Sequence, residues 1–167
     1  MSKRTLAVVA LLAVAAIAGA SGLGAGDESP RTPAAGATGE AVVTRVVDGD
    51  TAILSTLGRA RLIGIDTPEV FGRRECFGAQ ASAFTKRSLS GRRVRYEIGA
   101  EPRDRYGRAL VYIRLADGRF FNELLVAGGY ARTLEIAPNV RYAELFRRRA
   151  GEARAGRRGL WSDGACP

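Results

Sequence analysis

The 167-residue chain contains no histidine, and that absence removes several kinds of chemistry at once. Ser-His-Asp and Cys-His nucleophile systems, His-ligated zinc and imidazole general bases are excluded, so proton transfer falls to carboxylates, phenols, amines or thiols. Lysine is almost missing too: of 26 Lys and Arg residues, only Lys3 and Lys86 are Lys. The planar arginine fork suits bidentate phosphate contacts, although codon bias produces the same enrichment. Cysteine is limited to Cys76 and Cys166. The formal net charge of +9 favours acidic partners without naming one. With 46% hydrophobic and 26% charged residues the chain is ordinary for a globular protein, and its length suits one folded domain.

Lys3 and Arg4 precede an apolar run over residues 6–18, and Ala18-Gly19-Ala20 forms a small-residue cleavage site. Together these predict a secretory signal peptide over 1–20. The run is short for a membrane span, which takes about 20 apolar residues. Small residues extend it to Leu23, which leaves an uncleaved anchor as the alternative. Residues 21–39, rich in Gly, Ala, Pro and Thr, read as a flexible linker, and 40–167 as the folded domain. The expected localisation is extracellular, with a membrane-anchored protein facing outward as the alternative. In an exported chain an even cysteine count predicts one disulfide, Cys76–Cys166. Two free thiols stay open, because sequence does not show whether the two Cα atoms come within about 7 Å.

From Glu40 onward the pattern is one of short strands. Residues 41–47, 51–55 and 60–65 are β-rich and separated by turns at Asp48-Gly49-Asp50 and Leu57-Gly58, which predicts a three-strand meander. Helical spacing appears over 78–89, strands four and five over 92–98 and 109–115, a short helix over 121–127, and a basic amphipathic helix over 142–155. Gly128-Gly129 reads as a helix C-terminus, and Tyr130 and Trp161 as packing residues. Five strands with a helix between the third and fourth predict an α+β fold, a five-stranded OB-type barrel with about three helices.

Three segments concentrate the chemistry. In Asp48-Gly49-Asp50-Thr51 two carboxylates flank a glycine, which a plain hairpin turn also explains. In Arg61-Leu62-Ile63-Gly64-Ile65-Asp66-Thr67-Pro68-Glu69 the proline fixes a turn that holds Asp66 and Glu69, a pair that needs a cation to offset its repulsion. Asp104-Arg105-Tyr106-Gly107-Arg108 leads into a strand. Arg61 and Asp66 are five residues apart, so a regular strand would send them to opposite faces; a bend near Gly64 or the strand end must correct this. Hard oxygen donors without His or Cys select Ca²⁺ or Mg²⁺, with water and phosphate completing the shell. The helical arginines Arg147, Arg148, Arg149, Arg154, Arg157 and Arg158 read as a solvated face.

In their order and spacing these segments, together with Ala81-Ser82-Ala83-Phe84-Thr85-Lys86, Asn122-Glu123 and Leu160-Trp161-Ser162, resemble the staphylococcal nuclease family over residues 40–162. The resemblance implies a calcium-dependent nuclease that hydrolyses DNA and RNA, leaving 3′-phosphate and 5′-hydroxyl ends. It implies one Ca²⁺ ion held by Asp50, Asp66 and the Thr67 carbonyl, with Asp48 nearby. It also implies Glu69 as general base, Arg61 and Arg108 on phosphate, and Arg105 and Tyr106 in substrate binding. A monomer without an obligate protein partner is expected, with membrane contact only if the N-terminal segment is uncleaved. Two departures stand out: Leu134 and Ile136 occupy positions where the family enzyme carries tyrosines bordering the base, and only residues 70–74 separate Glu69 from Glu75-Cys76. The alternative function is a non-catalytic OB-fold module that binds nucleic acid.

Overall fold

In the computed structural model, which describes residues 33–166, the first strand shows how side-chain patterning shapes the barrel. β1 (Thr38–Val46) buries Ala41 and Val43 and then Val46. Residues 43 and 46 of a regular strand would face opposite ways. The change of parity coincides with a bulge between Val43 and Arg45, where β1 pairs with β2 (Thr51–Leu54). The extra residue returns Val46 to the inner face and bends the strand. β2 then pairs with β3 (Gly58–Leu62).

The barrel closes through later strands. β5 (Arg93–Arg103) pairs antiparallel with both β1 and β6 (Ala109–Leu115), and β6 runs parallel to β3 with Leu62 opposite Val111. The order β1-β2-β3-β6-β5 is therefore closed, as expected, and has no free edge. Val43, Leu54, Leu62, Val94, Ile98, Val111 and Ile113 fill its interior, each at most 1% exposed.

One predicted strand is divided. The stretch 60–65 was expected to run continuously, but β3 ends at Leu62 and a separate β4 (Gly64–Asp66) leaves the barrel to pair with β7 (Arg132–Leu134). β7 is absent from the sequence expectations. Gly64 sits at the break with φ +81°, a left-handed conformation that side chains resist, and a Cβ there would enter the Phe146 ring. β5 also outruns its predicted end by five residues, past an irregularity between Ile98 and Arg103.

The helices follow their apolar spacing. α1 (Gly78–Leu89) and α2 (Phe121–Ala127) match the predicted bounds, and α3 (Ala143–Ala155) begins one residue late. α3 buries Phe146, which touches Phe120 and Tyr112 of the barrel side. Asn122, fully buried on α2, accepts the Ile113 N–H (2.9 Å) and donates to the Ile63 carbonyl (3.0 Å), so it joins α2 to β6 and to the β3–β4 break. The expected packing roles hold: Tyr130 stacks on Phe84 (4.3 Å between centroids), and Trp161 lies between the Arg132 and Arg154 guanidiniums. Gly128 caps α2, and Gly129 follows with φ +73°. The signal and most of the linker lie outside the described residues. Among those described, no helix is long and apolar enough to cross a membrane.

Cys76 and Cys166 are bonded, with Cα atoms 5.6 Å apart. The bridge ties the segment after the 3₁₀ turn at Gly159–Trp161 to the residue before Phe77, which caps α1. It closes a loop of 90 residues, for which chain entropy sets an upper bound of about 4 to 5 kcal/mol. Replacing both cysteines by serine should lower the urea midpoint and raise the m-value, because the unfolded chain opens further without the cross-link, and alkylation of the purified, unreduced protein should label no thiol. Two labelled thiols would contradict the bridge.

Candidate active site

The site is built around one buried carboxylate. Asp50, at the end of the Asp48-Gly49-Asp50 turn, is only 6% exposed. The turn is set by the Asp48 carboxylate, which accepts the Asp50 N–H (3.0 Å), and by the buried Thr85 hydroxyl of α1, which donates to the Gly49 carbonyl (2.6 Å). Gly49 has no alternative: a Cβ there would collide with the Thr67 side chain. That close approach lets Thr67 donate both its N–H and its hydroxyl to Asp50 Oδ2, each at 2.8 Å.

Arg61 completes the cluster. Its Nη1 lies 2.8 Å from Asp50 Oδ2 and its Nη2 2.8 Å from Asp66 Oδ1, while Nη1 also donates to the Leu62 carbonyl. One guanidinium therefore bridges the two carboxylates. The bend at Gly64 supplies the change of face that the five-residue spacing requires. Burial pushes the Asp50 carboxyl up to about 6, although Arg61 and the Thr67 backbone N–H pull it down; nearby Asp48 adds to the rise. The carboxylate's own partners leave its charge only partly compensated.

The remaining predicted residues fall in two places. Arg108 donates Nε to Asp104 Oδ2 (2.7 Å), and Asp104 Oδ1 accepts the backbone N–H groups of Tyr106 and Arg108. Gly107, at φ +75°, closes this turn through its own N–H to the Asp104 carbonyl. Tyr106 is 69% exposed, with the Arg105 guanidinium 4.8 Å and that of Arg108 5.6 Å from its ring centroid. Arg61 and Asp104 line a common cleft of about 150 Å³ with Leu110, Leu134 and Ile136 on its walls. Glu69 is exposed on the loop after Pro68 and lines a different cleft from Arg61, with Val47 and Phe71. Among the described residues no trio of carboxylate or thiol side chains gathers closely enough to cage an ion alone.

The donor set nevertheless suits a hard divalent cation. Two carboxylates converge on a single cationic group, no nitrogen or sulfur ligand is near, and one carboxylate is buried with its charge incompletely offset.

Two contributors escaped the sequence reading. Asp104 counted only as part of a charged loop, yet it orients Arg108; its position four residues before an arginine and three before a glycine was the available signal. Thr85, which fixes the Gly49 carbonyl, gave none beyond its place in a helix. Burial alone would raise the Asp104 carboxyl, but hydrogen bonds from the Arg108 side chain and from the Arg108 and Tyr106 N–H groups outweigh it and hold the group below its ordinary value. A lowered carboxyl pKa contributes stability above the unfolded value, about 4, and loses it as pH falls through the folded one. The stability gap between wild type and Asp104→Asn, from urea melts, should therefore be largest near neutrality and close on acidification. A gap independent of pH would mean that the charge of Asp104 is not what holds the turn.

Comparison with known proteins places this arrangement. The sequence profile of the family described as Staphylococcal nuclease homologue matches residues 59–163. Similar proteins include a thermonuclease of Staphylococcus intermedius, 41% identical over 126 residues, covering 72% of this chain and 74% of the relative. A thermonuclease of Staphylococcus hyicus is 39% identical over 127 residues, covering 72% and 75%. Endonuclease YhcR of Bacillus subtilis is 33% identical over 152 residues, which span 82% of this chain but 12% of that larger protein. On both the profile match and the extent of these relationships, the chain belongs to the staphylococcal nuclease family.

Proposed function

We propose that the protein is a calcium-dependent endonuclease that hydrolyses phosphodiester bonds in DNA and RNA, exported from the cell and acting there as a monomer. The observation that carries the reading is the convergence of Asp50 and Asp66 on one cationic group, with a second phosphate-sized fork, Arg108, reached across the cleft that Arg61 and Asp104 line. A phosphodiester anion repels nucleophiles, so its hydrolysis needs charge neutralisation, a deprotonated water and donors aimed at the transition state. Asp50, Asp66 and the Thr67 carbonyl would hold one Ca²⁺ ion, which supplies positive charge beside the scissile phosphate and lowers the pKa of bound water.

The chain's own residues take the other roles. Glu69, whose carboxylate makes no ion pair among the described residues, accepts the proton of the attacking water. The water oxygen bonds to phosphorus, the bond from phosphorus to the 5′-oxygen breaks, and the departing oxygen takes up a proton from solvent, which balances the one Glu69 later returns to it. The products are a 3′-phosphate and a 5′-hydroxyl. Arg61 and Arg108 hold the non-bridging oxygens as charge accumulates there, and Arg105 and Tyr106 receive the neighbouring nucleotide. The folded domain, expected over 40–167 but entered by β1 at Thr38, fits, behind a cleaved signal at 1–20 and a linker over the rest of 21–39, a disulfide that needs an oxidising compartment. A module that merely binds nucleic acid has no use for two converging carboxylates, one of them buried, which repel the ligand.

A gel assay on DNA and RNA with Ca²⁺, Mg²⁺ or chelator tests the reading: cleavage should require Ca²⁺ and stop in chelator. Glu69→Gln should lower turnover by about 10² to 10⁴. The two arginines should separate by stability. Both Ala variants lose activity, by about 10² or more. Arg61→Ala should also destabilise by about 3 to 5 kcal/mol, because it leaves Asp50 buried without its ion partner. Arg108→Ala, whose pair is partly exposed, should cost about 1 kcal/mol or less. Full turnover in folded Glu69→Gln would assign the base elsewhere.

A further inference from the structure

The cleft behind Glu69 is more than twice the volume of the one beside Arg61, about 370 Å³ against 150 Å³. The roles assigned above leave it unused apart from its rim. Its wall carries Phe71, which is 62% exposed, and the cations Arg74 and Lys86. Neither cation makes an ion pair among the described residues. Lys86 is also the only lysine beyond the N-terminal segment of a chain that otherwise uses arginine. The second carboxylate on the rim, Glu75, accepts the Glu69 N–H at 3.2 Å and so is engaged with the loop itself.

The loop that carries Phe71 is braced. The Glu75 N–H donates to the Glu69 carbonyl (2.9 Å), Gly78 packs without a side chain against the Pro68 and Glu69 carbonyls, and Cys76 is anchored through the disulfide. Closure of the loop at its base restrains the backbone under Phe71, so stacking a base there costs less ordering than it would on an open loop. In the cleft that Arg61 lines the walls are aliphatic, Leu134 and Ile136, and offer no ring for a base.

We infer that the Phe71 cleft is a second nucleotide subsite, in which Phe71 stacks a base of the polynucleotide while Arg74 and Lys86 hold the adjoining phosphate, on the side of the scissile bond away from Tyr106. The inference rests on the nuclease reading for the position of that bond. Exposed aromatic rings interleaved with cations are how single-stranded nucleic acid is held without base selectivity, because every base presents a π-face. The subsite therefore confers a preference for unpaired strands over duplex and for chains long enough to reach from Tyr106 to Phe71.

Two measurements test it. In steady-state cleavage of a single-stranded hexadeoxynucleotide with Ca²⁺, Phe71→Ala should raise KM about 5- to 100-fold, with the loss in KM rather than in kcat. Phe71→Trp should restore it, and Lys86→Ala should lessen the salt dependence of KM. Separately, 2-aminopurine is stepped through the same hexamer bound to Glu69→Gln. One position should show quenching that disappears in Phe71→Ala, survives in Phe71→Trp and survives in Tyr106→Ala. If folded Phe71→Ala changes neither KM nor any 2-aminopurine position while wild type cleaves normally, the subsite is refuted and the nuclease stands. If wild type cleaves nothing, the nuclease reading falls, and the fluorescence arm still decides whether Phe71 stacks a base.

Discussion

Keeping the Asp50 carboxylate out of water constrains the rest of the site. An ion removed from water costs several kcal/mol unless its partners restore what solvation supplied. Here those partners come from different parts of the fold: the Arg61 fork from β3, and the N–H and hydroxyl of Thr67 from the turn after β4. Arg61 already lies opposite Thr51 in the β2–β3 ladder, but Thr67 comes within reach only because the chain turns out of the barrel between Leu62 and Gly64. Gly49 must lack a side chain so that Thr67 can approach, and Thr85 of α1 must fix the Gly49 carbonyl. The electrostatic requirement of one oxygen pair thus explains a glycine at each of two turns and the division of a strand.

These relationships were legible in the sequence to different depths. The barrel was legible because its strands alternate and its turns carry Asp-Gly or Gly. The bend at Gly64 was legible as a conflict: the spacing of Arg61 and Asp66 is odd, yet the two must converge. β7 was not legible, since Arg132, Thr133 and Leu134 show no pattern of their own and form a strand only because β4 leaves the barrel to meet them. That Glu69 lines a different cleft from Arg61 was equally hidden. Three carboxylates within twenty residues suggest one cluster, but the path after Pro68 is set by contacts with Gly78 and Glu75, whose proximity depends on α1 docking.

The C-terminal end contributes rigidity rather than chemistry. Gly129 and Gly159 approach so closely that a Cβ on either would strike the other's backbone neighbourhood, and the Leu160 N–H donates to the Gly129 carbonyl at 2.9 Å. The disulfide then returns the chain end to the start of α1. The loop bearing Glu69 is therefore held from both ends, by β4 before it and by a covalent anchor after it. Such bracing limits where the Glu69 carboxylate can be placed, and in an active site misplacement by about 1 Å can cost on the order of 10² in rate.

The net charge of +9 overstates the pull on a polyanion, and its distribution matters more. Much of the arginine on α3 is offset locally: Arg147 by Glu135 and Glu144, Arg149 by Glu123 and Glu152, and Arg157 just beyond the helix by Asp163. That face is solvated and paired, as its composition suggested. The cations that make no ion pair among the described residues include Arg59 and Arg105 around Tyr106, and Arg74 and Lys86 around Phe71. They stand at clefts outside the Asp50–Arg61–Asp66 cluster, whose carboxylates would repel a phosphate approaching by itself. Unpaired positive charge around the site attracts a polyanion, so that attraction does not depend on the ion-paired groups at its centre.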